Sequence, residues 1–418
     1  MIRKQKTMKL IGPFSQIITL NNIPLKGKIV DNQLEIIVNG GLIVENSTIK
    51  EVGKFHELLK KYPKTEVEEI ETAQVLIPNF IDCHTHICYE GSRANDFSMR
   101  NSGLSYLEIA KQGGGIWNTV NDTRNATLEK LTENTLKKIH SHIKNGISTI
   151  EIKSGYGLDK TNEIKILQAI DKASKKTKAT LIPTCLSAHI KPKDFNGNTK
   201  EYLDYCLLEI IPNIKNYSNR IDIFIEETAF GIEESNYYLY EVKKLGFDIC
   251  VHADQFTTGG SKVAIENGAL SADHLEASSE MEIKLFSKTD TVAVALPGAS
   301  LGLGEKFAPA RKLLDSNAIL AIASDWNPGS APQGDLLAQA SILACYEKLS
   351  NAEVFAALTF RAAKALKLFD RGKIVTTFKP DFHSYLIKNY QEIIYNQGKL
   401  KPETVWIDGE KIDFNKLL

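Results

Sequence analysis

The stretch from Val75 to His86, VLIPNFIDCHTH, constrains this chain more than any other. Val75, Leu76, Ile77, Phe80 and Ile81 make an apolar run that does not alternate and is too short for an isolated helix, which predicts a strand buried on both faces. The polar residues come at its end. Residues two apart on an extended segment share a face, so His84 and His86 aim two imidazoles at one point, the arrangement of a chelate. A second pair, His140 and His142, lies in LKKIHSHIKNG, where Leu136, Ile139 and Ile143 recur at helical spacing. Side chains two apart on a helix project to roughly opposite sides, so that pair cannot close on one ion.

Eight apolar segments of strand length follow one another: 76–83, 147–152, 179–186, 221–225, 247–251, 270–273, 291–296 and 319–324. Most are separated by amphipathic stretches such as TLEKLTENTLKKIHSHIKNG and NEIKILQAIDKASKK, whose apolar positions recur every three or four residues. This alternation predicts an α/β fold, a (β/α)₈ TIM-like barrel over residues 75–373. An open doubly wound sheet is the alternative, but no GxGxxG or GxxxxGK[ST] follows any strand. The glycines of Gly113–Gly115 and of TTGGSK read as turns. Residues 1–74 and 374–418 are rich in short β-like runs with Asn-Gly and Asp-Gly turns, and they predict one small β-sandwich domain built from both ends of the chain.

At 418 residues the chain can bury a large core. Lys plus Arg equals Asp plus Glu at 51 each, a balance that calls for neither nucleic acid nor an anionic membrane as partner. The basic N-terminus is interrupted by Gly12-Pro13 before its apolar residues reach signal-peptide length, and no apolar run approaches a membrane span, which predicts a soluble, cytoplasmic protein. The six cysteines show no zinc-ribbon or secretory spacing and read as small buried hydrophobes; on a strand, Cys83 faces away from the His84/His86 side.

A barrel carries its active site at the carboxyl ends of its strands, so the residue closing each segment is informative. His84 and His86 follow the first; Lys153, Ser154 and Tyr156 the second; His189 the third; Glu226 and Glu227 the fourth; His252 the fifth; His274 the sixth; and Asp325 the eighth. Five of the chain's nine histidines fall at these ends. Three imidazoles and one carboxylate, His84, His86, His252 and Asp325, suit one divalent ion such as Zn²⁺ or Fe²⁺ with a position left for water. His274 is then a general base beside the ion, or a residue that orients one of its ligands.

At these positions the chain resembles the amidohydrolase superfamily, with HxH on the first strand, His on the fifth and sixth, and Asp on the eighth. Two-metal members bridge their ions by a modified lysine ending the fourth strand. Here that strand ends in Ile225-Glu226-Glu227, which implies one metal. A narrower likeness runs through HTHICYEGSRANDF, SYLEIAKQGGGI, EIKSGYGLD, VHADQF, SADHLE, ALPGASL and ASDWNPGS, which are similar in order and spacing to the imidazolonepropionase family. That resemblance implies hydrolysis of the cyclic amide of 4-imidazolone-5-propanoate to N-formimidoyl-L-glutamate in histidine degradation, by a homodimer. It implies substrate contacts from Arg93, Tyr156, His189 and Gln255, with Asn327, Gly329 and Ser330 close by and Tyr106 as a weaker candidate. A guanidinium at Arg93 suits a propionate tail.

Many members of that family carry a catalytic Glu where this chain has Gln255. An amide offers no proton affinity as a base, so the proton work falls to His274 and Asp325. The rival on the same scaffold is another cyclic amidase or a nucleobase deaminase. The deaminases usually place Glu three residues after the fifth-strand histidine, and Gln255 counts against that reading. A metal-binding protein without catalysis is a third reading, which turnover of the imidazolone would exclude.

Overall fold

A computed structural model describes residues 8–104, 108 and 114–417. Tyr106 and Gly113 lie outside the described residues. Eight parallel strands, β1 (Phe80–Asp82), β2 (Ile147–Lys153), β3 (Thr180–Ala188), β4 (Arg220–Ile225), β5 (Asp248–Ala253), β6 (Ser271–His274), β7 (Val292–Ala295) and β8 (Ile319–Ile322), pair in the order in which they occur along the chain. This is the barrel that the alternation predicts. From β2 onward each strand lies within two residues of its expected ends.

The first segment differs from expectation. Residues 76–83 do not form one strand: Val75–Pro78 belongs to a second sheet, where it runs parallel to Met8–Ile18 and antiparallel to Phe382–Tyr385. Pro78 has no N–H to continue a ladder, and the chain changes sheets there. Asn79 fixes the crossing, since its backbone N–H donates to Asp381 and its side-chain amide donates to the Trp406 carbonyl at 2.8 Å. A continuous apolar run therefore serves two sheets, each of which buries both faces of its share.

The second sheet unites the two ends of the chain. Its order is Glu410–Lys411, Thr404–Ile407, Phe382–Tyr385, Val75–Pro78, Met8–Ile18, Ile36–Glu45, Thr48–Lys54, with Glu66–Glu69 also paired to Met8–Ile18. Phe14 and Trp406 stand three strands apart in this order, yet their rings meet edge to face at 6.1 Å. Flat strands ~4.8 Å apart would hold them more than twice as far apart, so the sheet curls around its own core of Ile11, Phe14, Leu42, Phe382 and Trp406.

Helices cover the barrel. Leu128–Lys144 begins at Thr127, whose hydroxyl accepts the Lys130 N–H, and Lys160–Ser174 begins at Asp159, whose carboxylate accepts the Asn162 N–H. On the first of these helices His142 points inward and lies 3.3 Å from Asp82, whereas His140 sits half-buried, so the two do diverge. Among the described strands, β1 and β8 form no regular ladder. They meet just beyond their ends through a bridge between Thr85 and Trp326, with Asp325 N–H donating to the His84 carbonyl and His86 N–H to the Trp326 carbonyl. The barrel closes through the very segments that carry His84, His86 and Asp325. No helix among the described residues is long and apolar enough to cross a membrane.

Candidate metal centre and active site

The strand-end histidines converge. His84 Nε2 lies 3.2 Å from His86 Nε2, which lies 3.2 Å from His252 Nε2, and Asp325 Oδ1 is 3.5 Å from the first and 3.4 Å from the second. All four side chains are buried. His84 presents its Nδ1 to Asp273 Oδ2 at 2.6 Å, and His252 presents its Nδ1 to Asp222 Oδ2 at 2.9 Å. The hydrogen bond to Asp273 favours the proton of His84 on Nδ1, and the Asp222 charge favours the same tautomer of His252, which turns both Nε2 lone pairs toward the same nitrogen of His86. One N–H on His86 could answer only one of them; a cation would answer both and Asp325 as well. Burial holds His84 and His86 well below the usual imidazole range and His252 at about 3, which keeps them in the neutral form that binds metals.

Among the described residues, two sets of three donors have atoms within 4.8 Å of one another: His84, His86 and Asp325, and His84, His252 and His274. His274 thus borders the cluster. Its Nδ1 lies 3.5 Å from Glu276 Oε2, which leaves Nε2 for the cluster side. Burial opposes its positive form, but Glu276 and Asp325 outweigh this and raise it above the ordinary value. Ser300 Oγ donates to the other oxygen of Glu276 at 3.0 Å. Burial likewise pushes the Asp325 carboxyl up to about 6. His274 and Asp325 adopt φ of 89° and 49°, conformations that non-glycine residues avoid and that cost on the order of 1–3 kcal/mol each where a site enforces them.

The residues expected at the substrate lie around this centre. His189 stacks on His86 with ring centroids 5.4 Å apart, and Tyr156 lies 6.0 Å from His86 and 5.7 Å from His189. His189 Nδ1 meets the Gly155 carbonyl at 2.9 Å, a fit that Gly155 permits: at φ 103° a Cβ there would come within 3.0 Å of that nitrogen. Arg93 donates from Nε to Asp96 at 2.8 Å and lines a cavity of about 370 Å³ with Tyr89, Phe97, Pro328 and Gly329. Gly329 leaves room beside it: a Cβ there would stand 2.3 Å from the Arg93 guanidinium and push that flexible end aside. Asn327 is committed inside its own loop: its amide N–H groups donate to Asp325 Oδ2 at 2.8 Å and to Ser330 Oγ at 2.9 Å, and its oxygen accepts the N–H groups of Gly329 and Ser330. Asn327 and Ser330 therefore hold Asp325. Gln255 is half-buried on the loop after β5. Glu226 turns toward that loop, accepting the N–H groups of Phe256 and Thr257.

Several buried acids that the strand-end reading passes over do the orienting. Asp222 and Asp273 stand inside apolar strands, in RIDIF and SADH, and a carboxylate in such a setting is itself the signal, since burial there demands a partner. Glu163, on the helix after β2, accepts the N–H groups of Gly155, Gly157 and Leu158, and so moulds the loop that carries Tyr156. Replacing Glu163 with Gln removes the charge from these bonds. We expect KM to rise roughly tenfold, from hydrogen bonds to charged groups worth about 1.5–3 kcal/mol, with metal content unchanged. Steady-state kinetics and metal analysis on one preparation check this; an unchanged KM would free Tyr156 from substrate binding.

Comparison with known proteins agrees with the geometry. Residues 75–412 match the amidohydrolase family. The chain belongs to that family. It is 39 % identical over 396 residues to an imidazolonepropionase from Staphylococcus saprophyticus, covering 94 % of each chain. It is also 35 % identical over 406 residues to one from Clostridium tetani, covering 96 % of this chain and 97 % of that one. Among solved structures, a zinc-bound adenosine deaminase from Xanthomonas campestris superposes with a TM-score of 0.71 at 16 % identity, covering 98 % of this chain and 95 % of its own. A guanine deaminase from C. acetobutylicum superposes at 0.67 and 16 % identity, covering 97 % and 100 %. These two similarities speak for the shared fold.

Proposed function

We propose that this amidohydrolase is an imidazolonepropionase, which hydrolyses the ring amide of 4-imidazolone-5-propanoate to N-formimidoyl-L-glutamate around one divalent ion. The observation that carries the reading is that His84, His86 and Asp325 bring donor atoms within 3.5 Å of one another, with His252 Nε2 3.2 Å from His86 Nε2 and a carboxylate beside the Nδ1 of His84 and of His252. The full-length likeness to imidazolonepropionases supports the substrate. Zinc and ferrous iron both suit three imidazoles and a carboxylate. The reading carries with it a cytoplasmic homodimer with no nucleic-acid or membrane partner, on the family resemblance and the neutral charge balance.

These four residues would hold the ion, which when bound lowers the pKa of water toward about 7 and polarises a carbonyl. The chain's own groups do the rest. His274 accepts a proton at Nε2 from the attacking water, and Glu276 at its Nδ1 stabilises the imidazolium that results. The proton taken from the water is then passed, by way of Asp325, to the ring nitrogen as its bond to the carbonyl carbon breaks, and the ring opens. Arg93 binds the propionate at the cavity mouth. Tyr156, His189 and Gln255 contact the ring, and Asn327, Gly329 and Ser330 shape the wall beside Asp325.

The test is ultraviolet-monitored consumption of freshly made 4-imidazolone-5-propanoate, with metal determined on the same sample. Loss of imidazolone absorbance in proportion to one bound metal per chain is the expected result. Full metal with no turnover would replace this substrate with another cyclic amide or a nucleobase.

A further inference from the structure

The barrel interior beneath the metal cluster is charged. The inward layer of such barrels is ordinarily Val, Ile or Leu, supplied by alternate strands. Here β2, β4 and β6 contribute Glu151 and Lys153, Asp222, and Asp273, none more than 1 % exposed. The Lys153 ammonium lies 2.7 Å from Glu151 Oε1, 2.8 Å from Asp222 Oδ2 and 3.8 Å from Asp273 Oδ2. The last two oxygens are the same atoms that meet His252 Nδ1 and His84 Nδ1. One buried cation therefore touches both carboxylates that orient metal-facing histidines. Burying so many charges is costly and would serve stability no better than apolar packing.

The geometry points to Lys153 as a positioning residue for the metal centre: its ammonium holds Asp222 and Asp273 together, and through them fixes His252 and His84 with Nε2 turned to a common point. Without it the two carboxylates repel each other and Glu151, and each is free to turn from its histidine. Lys153 also ties the cluster through its backbone, donating its N–H to the Thr85 carbonyl between His84 and His86 at 2.9 Å. That bond survives substitution of the side chain, so the side chain's effect is separable. The inference rests on the proposed metal site.

The test compares the full-length protein with Lys153→Met and with Lys153→Met combined with Glu151→Gln, which removes one charge of each sign and so keeps the layer foldable if the single variant does not fold. Zinc affinity is read by competition with a chromogenic chelator, and ligand geometry by the visible spectrum of the cobalt-substituted protein. We expect zinc affinity to fall roughly 10–100-fold in both variants, the usual effect of removing an outer partner of a metal ligand, with an altered cobalt spectrum. A role limited to charge balance predicts that the double variant recovers native affinity and spectrum; that result overturns the inference, as does native binding by the single variant. If the unsubstituted protein binds neither zinc nor cobalt, the metal-site reading itself fails, and the inference with it.

Discussion

Substituting His274 by Asn is expected to leave the metal in place and lower kcat by roughly 10²–10⁴-fold, the scale of general acid–base catalysis. Asn preserves approximate size and a polar group beside Glu276 but cannot take up a proton. The burden falls on this side chain because Gln255, an amide, has no proton affinity with which to share the work. Glu276, with Ser300 behind it, raises His274 above the ordinary imidazole value, so the neutral form needed to accept a proton is lost as pH falls through that raised value. The unsubstituted enzyme should therefore lose kcat/KM on its acid side, and the Asn variant should lose that limb of the profile. Metal analysis decides the other possibility left by the geometry. A variant that loses its metal would move His274 among the ligands, beside His84 and His252, and near-normal turnover would remove it from the mechanism.

The second large effect concerns Arg93. Replacing it with Gln should raise KM for 4-imidazolone-5-propanoate by roughly 10–150-fold, corresponding to about 1.5–3 kcal/mol for a charge-assisted hydrogen bond, with little change in kcat. The contribution is specific to the propionate. An imidazolone bearing an ethyl group in place of propionate should be handled equally by both proteins, since an uncharged tail gives the guanidinium nothing to pair with. Equal losses on both substrates would mean that Arg93 serves the loop through Asp96 rather than the ligand; its Nε already donates to that residue at 2.8 Å, and the same Asp96 oxygen accepts the Gly115 N–H.

The two effects differ in where they act. His274 sits against the clustered histidines, 5.4 Å from the His252 ring, and should register in the rate of the chemical step. Arg93 lines the cavity on the Tyr89 and Phe97 side and should register in substrate capture. A variant carrying both substitutions should show the two losses multiplied, as separated and independent sites do.

The barrel and the ends of its strands were legible in the sequence because both are local. Strand-length apolar runs alternate with helical periodicity, and a residue's place at the end of a run follows from spacing alone. Period-two strand geometry was enough to pair His84 with His86, and helical geometry to set His140 apart from His142, the latter turned inward against Asp82. The splitting of the first run was not legible, since Val75–Pro78 and Phe80–Asp82 are equally apolar and only pairing partners more than 300 residues away at Phe382–Tyr385 draw the first part into another sheet. Nor was the circuit of Lys153, Asp222 and Asp273 legible as a unit: each residue shows as a charge within or closing an apolar strand, but which charges meet depends on the register of strands β2, β4 and β6 around the closed barrel. The sequence by itself determined which chemistry the strand ends carry. Tertiary structure alone decided which atoms of those groups face one another, because contacts between strands far apart in the chain depend on barrel closure and not on spacing.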